Sequence, residues 1–179
     1  MSAEEQDLRV PFDWCYWVVP GKLLAGCDPM SGFSGEPAAN LRGLLELGIR
    51  HIINLTEPRS YTRSYDQELQ AIAQEMGIAV TMERAPIENF SVPSRKLMRS
   101  ILNSIDKRLA EGVPVYIHCL GGLGRTGTVV GCWLARHGLT GPPALARLAE
   151  LRQPAANIHL ASPENEDQIT MVLSWKDKE

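Results

Sequence analysis

A basic excess, paired cysteines, a long apolar run and internal repetition are all missing from this chain, and each absence removes a class of function. The 179 residues carry a formal charge of −3, from 18 Lys and Arg against 21 Asp and Glu. The chain therefore lacks the cationic footprint of a nucleic-acid binder. Of the 18 cationic residues, 13 are arginine, which suits local bidentate contacts to oxyanions more than a diffuse positive field. No stretch approaches the roughly 18 apolar residues of a membrane span, and the acidic opening MSAEEQDLRVPFDW has no apolar signal-peptide core. A cytoplasmic setting with no membrane partner is expected. The four cysteines (Cys15, Cys27, Cys119, Cys132) form no CxxC pair, and of the four histidines only His118 stands beside a cysteine. Adjacent residues rarely ligate one zinc, so no metal and no cofactor are expected, and three of the cysteines read as reduced, inert thiols.

With no repeat or linker-like shift in composition, residues 1–179 read as a single domain, long enough to bury a substantial core. Trp14, Tyr16 and Trp17 read as core and lead into two short strands around the Pro20-Gly21 turn. A helix from about Pro37 places Leu41, Leu44 and Leu45 on one face, and a strand covers His51 to Leu55. Ser64 and Gln67 form a capping-box pattern for the next helix, which Gly77 stops before a strand at Ile78 to Met82. Leu97, Ile101, Ile105 and Leu109 define a long amphipathic helix. An apolar strand over Val113 to Ile117 precedes helices over Thr126 to His137 and Pro143 to Arg152. The last helix is expected to open at Ser162-Pro163, with Glu164, Glu166 and Asp167 in its first turns. Strands alternating with helices predict an α/β fold: a mostly parallel central sheet flanked by helices.

The stretch Val115–Thr128, VYIHCLGGLGRTGT, carries the chemistry. A buried strand runs into His118 and Cys119; Gly121, Gly122 and Gly124 follow, and Arg125 opens the next helix. Ligands of such sheets bind beyond the carboxyl ends of the strands. The amides between Cys119 and Arg125 are thus placed to form an anion-binding nest at a helix N-terminus, whose field also stabilises a thiolate. The plainer alternative is a tight strand-to-helix turn around a buried cysteine. A Cys-x5-Arg spacing alone is weak; its placement between strand and helix carries the weight. A nucleotide P-loop does not fit GLGRTGT, where Thr128 stands in place of the lysine.

HCLGGLGRTG resembles the signature loop of cysteine-dependent protein phosphatases, His-Cys-x5-Arg-Ser/Thr, and most resembles the small dual-specificity branch. YWVVPGKLLAG, IINLT, APIENFSVPS, VYIHC and SPENEDQ are also similar to segments of that group. The resemblance implies a phosphocysteine on Cys119, with phosphate held by Arg125 and the loop Leu120, Gly121, Gly122, Leu123 and Gly124. It further implies that Thr126 assists the thiolate as a leaving group and that His118 orients the loop, with a buried structural histidine as the alternative. Gln168 falls where the family often carries a glutamine; a solvated helix position is its plain reading. Arg59, Arg63, Arg84, Arg95 and Lys96 flank loops near the expected pocket mouth and read by default as solvated surface.

The pattern breaks at the general acid. The family's aspartate position corresponds to Asn89, and an amide has no proton to deliver. Glu88 and Asp66 are the carboxylates considered as substitutes. Three classes follow: an active phosphatase acting on a phosphorylated protein or a small phosphomonoester, a phosphate-binding module without turnover, and a rhodanese-like sulfur carrier, against which Thr126 counts. The absence of lysine from Leu120 to Gly124 leans towards phosphotyrosine or mixed phosphoprotein substrates over inositol phospholipids.

Overall fold

The run Val115–His118 is buried at all four positions, as a strand covered on both faces must be. In the computed structural model, which describes residues 9–58 and 64–176, this run is the middle of a five-stranded sheet ordered β1-β2-β5-β3-β4. The strands are β1 (Cys15–Val19), β2 (Leu23–Gly26), β3 (His51–Asn54), β4 (Thr81–Arg84) and β5 (Val115–His118). β1 pairs antiparallel with β2 around the turn at Pro20-Gly21, and the remaining pairs are parallel. The helices among the described residues are α1 (Pro37–Glu46), α2 (Asp66–Glu75), α3 (Arg95–Ala110), α4 (Gly124–Arg136), α5 (Pro142–Leu151) and α6 (Glu166–Ser174).

Because strand side chains alternate, successive β5 residues feed two different cores. Val115 and Ile117 join Met98 and Ile101 of α3, Val129 and Val130 of α4, Leu148 of α5 and Val172 of α6. Tyr116 joins Leu41 and Leu44 of α1 and Leu69 and Ile72 of α2. The result is a sheet between two helical layers, as the alternation of elements predicts. Parallel register sets Gly26, His118 and Asn54 side by side at the ends of β2, β5 and β3, so whatever follows β5 emerges at a flush carboxyl edge. α4, which begins there, is buried from Gly124 to Ala135.

Several boundaries differ from expectation, β5 among them at Val115–His118 instead of Val113–Ile117. β4 begins at Thr81 instead of Ile78, because residues 78–80 close α2: Ile78 N–H returns to the Ala73 carbonyl and Gln70 holds the Val80 carbonyl. The Ser64/Gln67 capping box does not form; Tyr65 occupies the cap without a side-chain bond, and the Ser64 hydroxyl donates to Asp66 instead. α4 starts two residues before Thr126. α6 starts at Glu166, not at Ser162-Pro163, because the Asn165 side chain accepts the Gln168 N–H and caps it. That last difference leaves Glu164 outside the helix.

Candidate active site

Cys119 follows β5 directly and is 3% exposed. The loop after it is held by its carbonyls. The Leu120 carbonyl accepts from the Asp28 N–H at 2.9 Å, that of Gly121 from Asn157 Nδ2 at 3.4 Å, and that of Leu123 from Ser162 Oγ at 2.7 Å. In a trans peptide the N–H points opposite to the carbonyl. The N–H groups of Gly121, Gly122 and Gly124 are therefore turned away from the scaffold that grips the loop. Gly122 is confined to glycine twice over: its φ is +72°, and a Cβ there would lie 2.5 Å from the Gly26 carbonyl carbon.

His118 is fully buried, with Nδ1 at 3.0 Å from the Cys119 carbonyl and Nε2 at 2.6 Å from the Tyr65 hydroxyl. A carbonyl only accepts, so Nδ1 carries the hydrogen and Nε2 accepts from Tyr65. Burial, reinforced by Arg84 and Arg125, lowers the imidazole pKa against the opposing pull of Asp28 and the Cys119 carbonyl. The ring is a neutral strut under the loop.

Arg125 is buried against the loop after β4. Its Nη1 donates to the Ile87 carbonyl at 3.0 Å and lies 3.9 Å from Glu57 Oε2. The Thr126 hydroxyl is buried without a hydrogen-bond partner, an unusual state for a polar atom. Burial pushes the Cys27 and Cys132 thiols up to about 12 and the Cys15 thiol well above its ordinary value.

Cys119 and Arg125 meet in a pocket of about 310 Å³ also lined by Leu120, Gly121, Leu123, Asn89 and Glu164. Trp14, Phe33, Phe90 and Leu160 complete its lining. Trp14 and Phe33 stack face to face at 4.5 Å, and Phe33, Phe90 and Leu160 are exposed. Asn89 is thus in the pocket, whereas Glu88, although exposed, is not among its lining residues. Asp66 is occupied by Ser64 at the start of α2 and is not in the lining either.

Gln168 is not solvated: it is fully buried, accepts from the Glu164 N–H and donates to the Ser91 carbonyl. With Asn165, which donates to the Phe90 carbonyl, it ties the Asn89 loop to α6. The basic residues serve the scaffold. Arg84 clamps the Thr56 and Glu57 carbonyls, and Arg95 donates to the Ser174 carbonyl and lies over the Trp175 ring. Lys96 is exposed, and Arg59 and Arg63 lie outside the described residues. Among the described residues no group of three or more His, Cys, Asp or Glu side chains is placed to hold a metal ion, and no helix is long and apolar enough to cross a membrane.

Among the contributors that escaped the sequence are Tyr65, Asn157, Ser162 and Glu164. The first three act across long sequence separations and carry no local signal. Glu164 had one. Asn165 and Gln168 stand at capping-box spacing, which starts the helix three residues after Pro163 and leaves Glu164 before it.

Comparison with known proteins agrees with the geometry. The family described as "PTP-SAK: Swiss Army Knife protein, DSP-PTPase phosphatase domain" matches residues 13–169. The chain spans only part of the curated relatives it matches: it is 37% identical over 57 residues, 32% of its own length, to an uncharacterised Methanocaldococcus jannaschii protein of which it covers 39%. Among solved structures, Tk-PTP in its active form has a TM-score of 0.68 at 24% identity, over 88% of this chain and 93% of that one. Kinase-associated phosphatase with its catalytic-site cysteine replaced by serine has a TM-score of 0.68 at 22% identity, over 87% and 86%. At these identities the likeness is one of fold.

Proposed function

The chain belongs to the DSP-PTPase phosphatase domain family, and on that premise we propose that it hydrolyses phosphomonoesters through a phosphocysteine on Cys119. The observation that carries this reading is the loop itself. Cys119 opens into the pocket while the carbonyls of Leu120, Gly121 and Leu123 are tied off on the scaffold, which frees amides for an anion beside Arg125.

In the first step the Cys119 sulfur attacks phosphorus and the P–O bond to the leaving group breaks, its electron pair going to that oxygen. Arg125, already fixed by the Ile87 carbonyl, offers its remaining N–H groups to two equatorial oxygens and binds them more tightly as charge develops. In the second step water attacks phosphorus and the P–S pair returns to sulfur. The unpaired Thr126 hydroxyl donates to that departing thiolate. Neutral His118 holds the Cys119 carbonyl and so the direction in which the sulfur points.

The substrate reading is an aryl phosphate, phosphotyrosine in a protein above all. The stacked Trp14–Phe33 pair, Phe90 and Leu160 give the pocket an apolar border suited to a ring, and among the described residues no lysine lines it. Asn89 in the lining favours the second reading, a phosphate-binding module without turnover. Cys119→Ser separates the two. It should abolish turnover of an aryl phosphate while leaving vanadate or phosphate affinity within a few-fold, since amides and Arg125 remain; acid-quench of the wild type with labelled substrate should trap a phosphocysteine. Wild-type turnover in the serine variant would overturn the mechanism. No trapped intermediate and no turnover in the wild type would favour the binding module.

A further inference from the structure

Of the titratable side chains lining the pocket among the described residues, Cys119 and Arg125 have roles in binding and attack, and the third, Glu164, has none so far. Its position is built from several directions. Its N–H donates to Gln168 Oε1 at 2.9 Å, and the buried Gln168 in turn holds the Ser91 carbonyl of the loop that carries Asn89. Asn165, next in the chain, holds the Phe90 carbonyl. The Glu164 carboxylate rests against Gly124, so closely that a Cβ on that glycine would overlap Glu164 Oε2 and the Gln168 amide. The side-chain space at the start of α4 is thus filled by a carboxyl facing the same cavity as the Cys119 sulfur.

We propose that Glu164 is the general acid for phosphocysteine formation and the general base for its hydrolysis, the task that Asn89 is chemically unable to perform. The proposal rests on Cys119 as nucleophile. In the first step the proton passes from the Glu164 carboxyl to the leaving oxygen as the P–O bond breaks, releasing a neutral phenol or alcohol and leaving a carboxylate. In the second, that carboxylate takes a proton from the attacking water as the P–S bond breaks, and the enzyme returns to its starting state.

Charge favours the protonated form when it is needed. Burial raises the carboxyl pKa, and the Gly124 N–H and the Arg125 charge pull it down by less. Within the lining, Arg125 and Cys119 are the other groups that face it, and Glu57 sits against Arg125 at 3.9 Å. A bound phosphoryl dianion beside the thiolate neutralises Arg125 and adds negative charge next to the carboxyl, which raises its pKa further.

The test compares wild type, Glu164→Gln, Glu164→Asp and Cys119→Ser on aryl phosphates of increasing leaving-group pKa, with pH profiles and vanadate affinity. The wild type should show an alkaline limb in kcat/KM. Glu164→Gln should lose that limb and lose 10²–10⁴-fold in rate on the poorest leaving groups, much less on the most activated, with vanadate affinity within a few-fold. Glu164→Asp should keep the limb with an intermediate loss, and it carries the test if the glutamine variant does not fold. A Glu164→Gln variant with the wild-type limb and leaving-group dependence, or an aspartate variant with unchanged rates, overturns the proposal. Those outcomes leave the nucleophile intact if Cys119→Ser is inert. A fully active Cys119→Ser overturns the underlying reading instead.

Discussion

His118 accepts from Tyr65 at one ring nitrogen and donates to the Cys119 carbonyl at the other, so deleting the tyrosyl hydroxyl strands a buried acceptor. Tyr65→Phe should cost about 1–3 kcal/mol, read as a lower urea midpoint, and should lower kcat more than it raises KM, because the loop rather than the pocket border loses its support. The cysteines differ just as sharply. Burial holds Cys15, Cys27 and Cys132 in their thiol forms, while Cys119 alone lines the pocket. A haloacetamide at pH 6 should therefore label Cys119 first and inactivate in proportion, with vanadate protecting; dilute peroxide should act at the same atom, reversibly with thiol while oxidation stops at the sulfenic acid. Peptide mapping that finds all four labelled alike would contradict this assignment.

At the scale of elements, α4 carries the weight. Gly131 faces α6 so closely that a Cβ would meet the Val172 methyl carbons at 2.7 and 2.8 Å. Gly131→Leu should destabilise by about 1–3 kcal/mol through overpacking, visible in the thermal midpoint. Elements of this kind were readable in advance because their signals are periodic and local: the apolar run of β5, the four-residue repeat of α3 and the leucines of α1 each name their own face. The Cys119–Arg125 loop was legible for the same reason, being contiguous. Ends were less so. β4 and the start of α6 are decided by side chains reaching from elsewhere or by a cap three residues along, and the second shift takes Glu164 out of the helix and into the pocket lining. Tyr65 and Ser162, meeting the loop from opposite directions, have no periodicity to betray them.

For the molecule as a whole, acid is expected to loosen the fold in two stages. The His118 pKa is lower in the folded state than its ordinary 6.5, so the unfolded chain binds the extra proton between those values. Its contribution is complete above about pH 6.5 and is lost as pH falls towards the folded value, with a slope of at most about 1.4 kcal/mol per pH unit for one proton. Glu83, held low chiefly by His51, whose Nε2 lies 3.8 Å from its carboxylate, loses its share only below its ordinary 4.5. Glu164, raised by partial burial, works in the opposite sense between 4.5 and its folded value. Urea midpoints from pH 7.5 to 4 should therefore begin to fall near pH 6.5, and more steeply in Glu164→Gln. The carbonyls of the phosphate loop have a different consequence, one of chain order. Asp28 grips the loop from the first part of the chain, but Asn157 and Ser162 grip it from the last. Cys119 precedes both of those residues in the chain. A chain cut short before Asn157 should therefore keep Cys119 but lose two of the three grips on its loop, and with them the proposed activity.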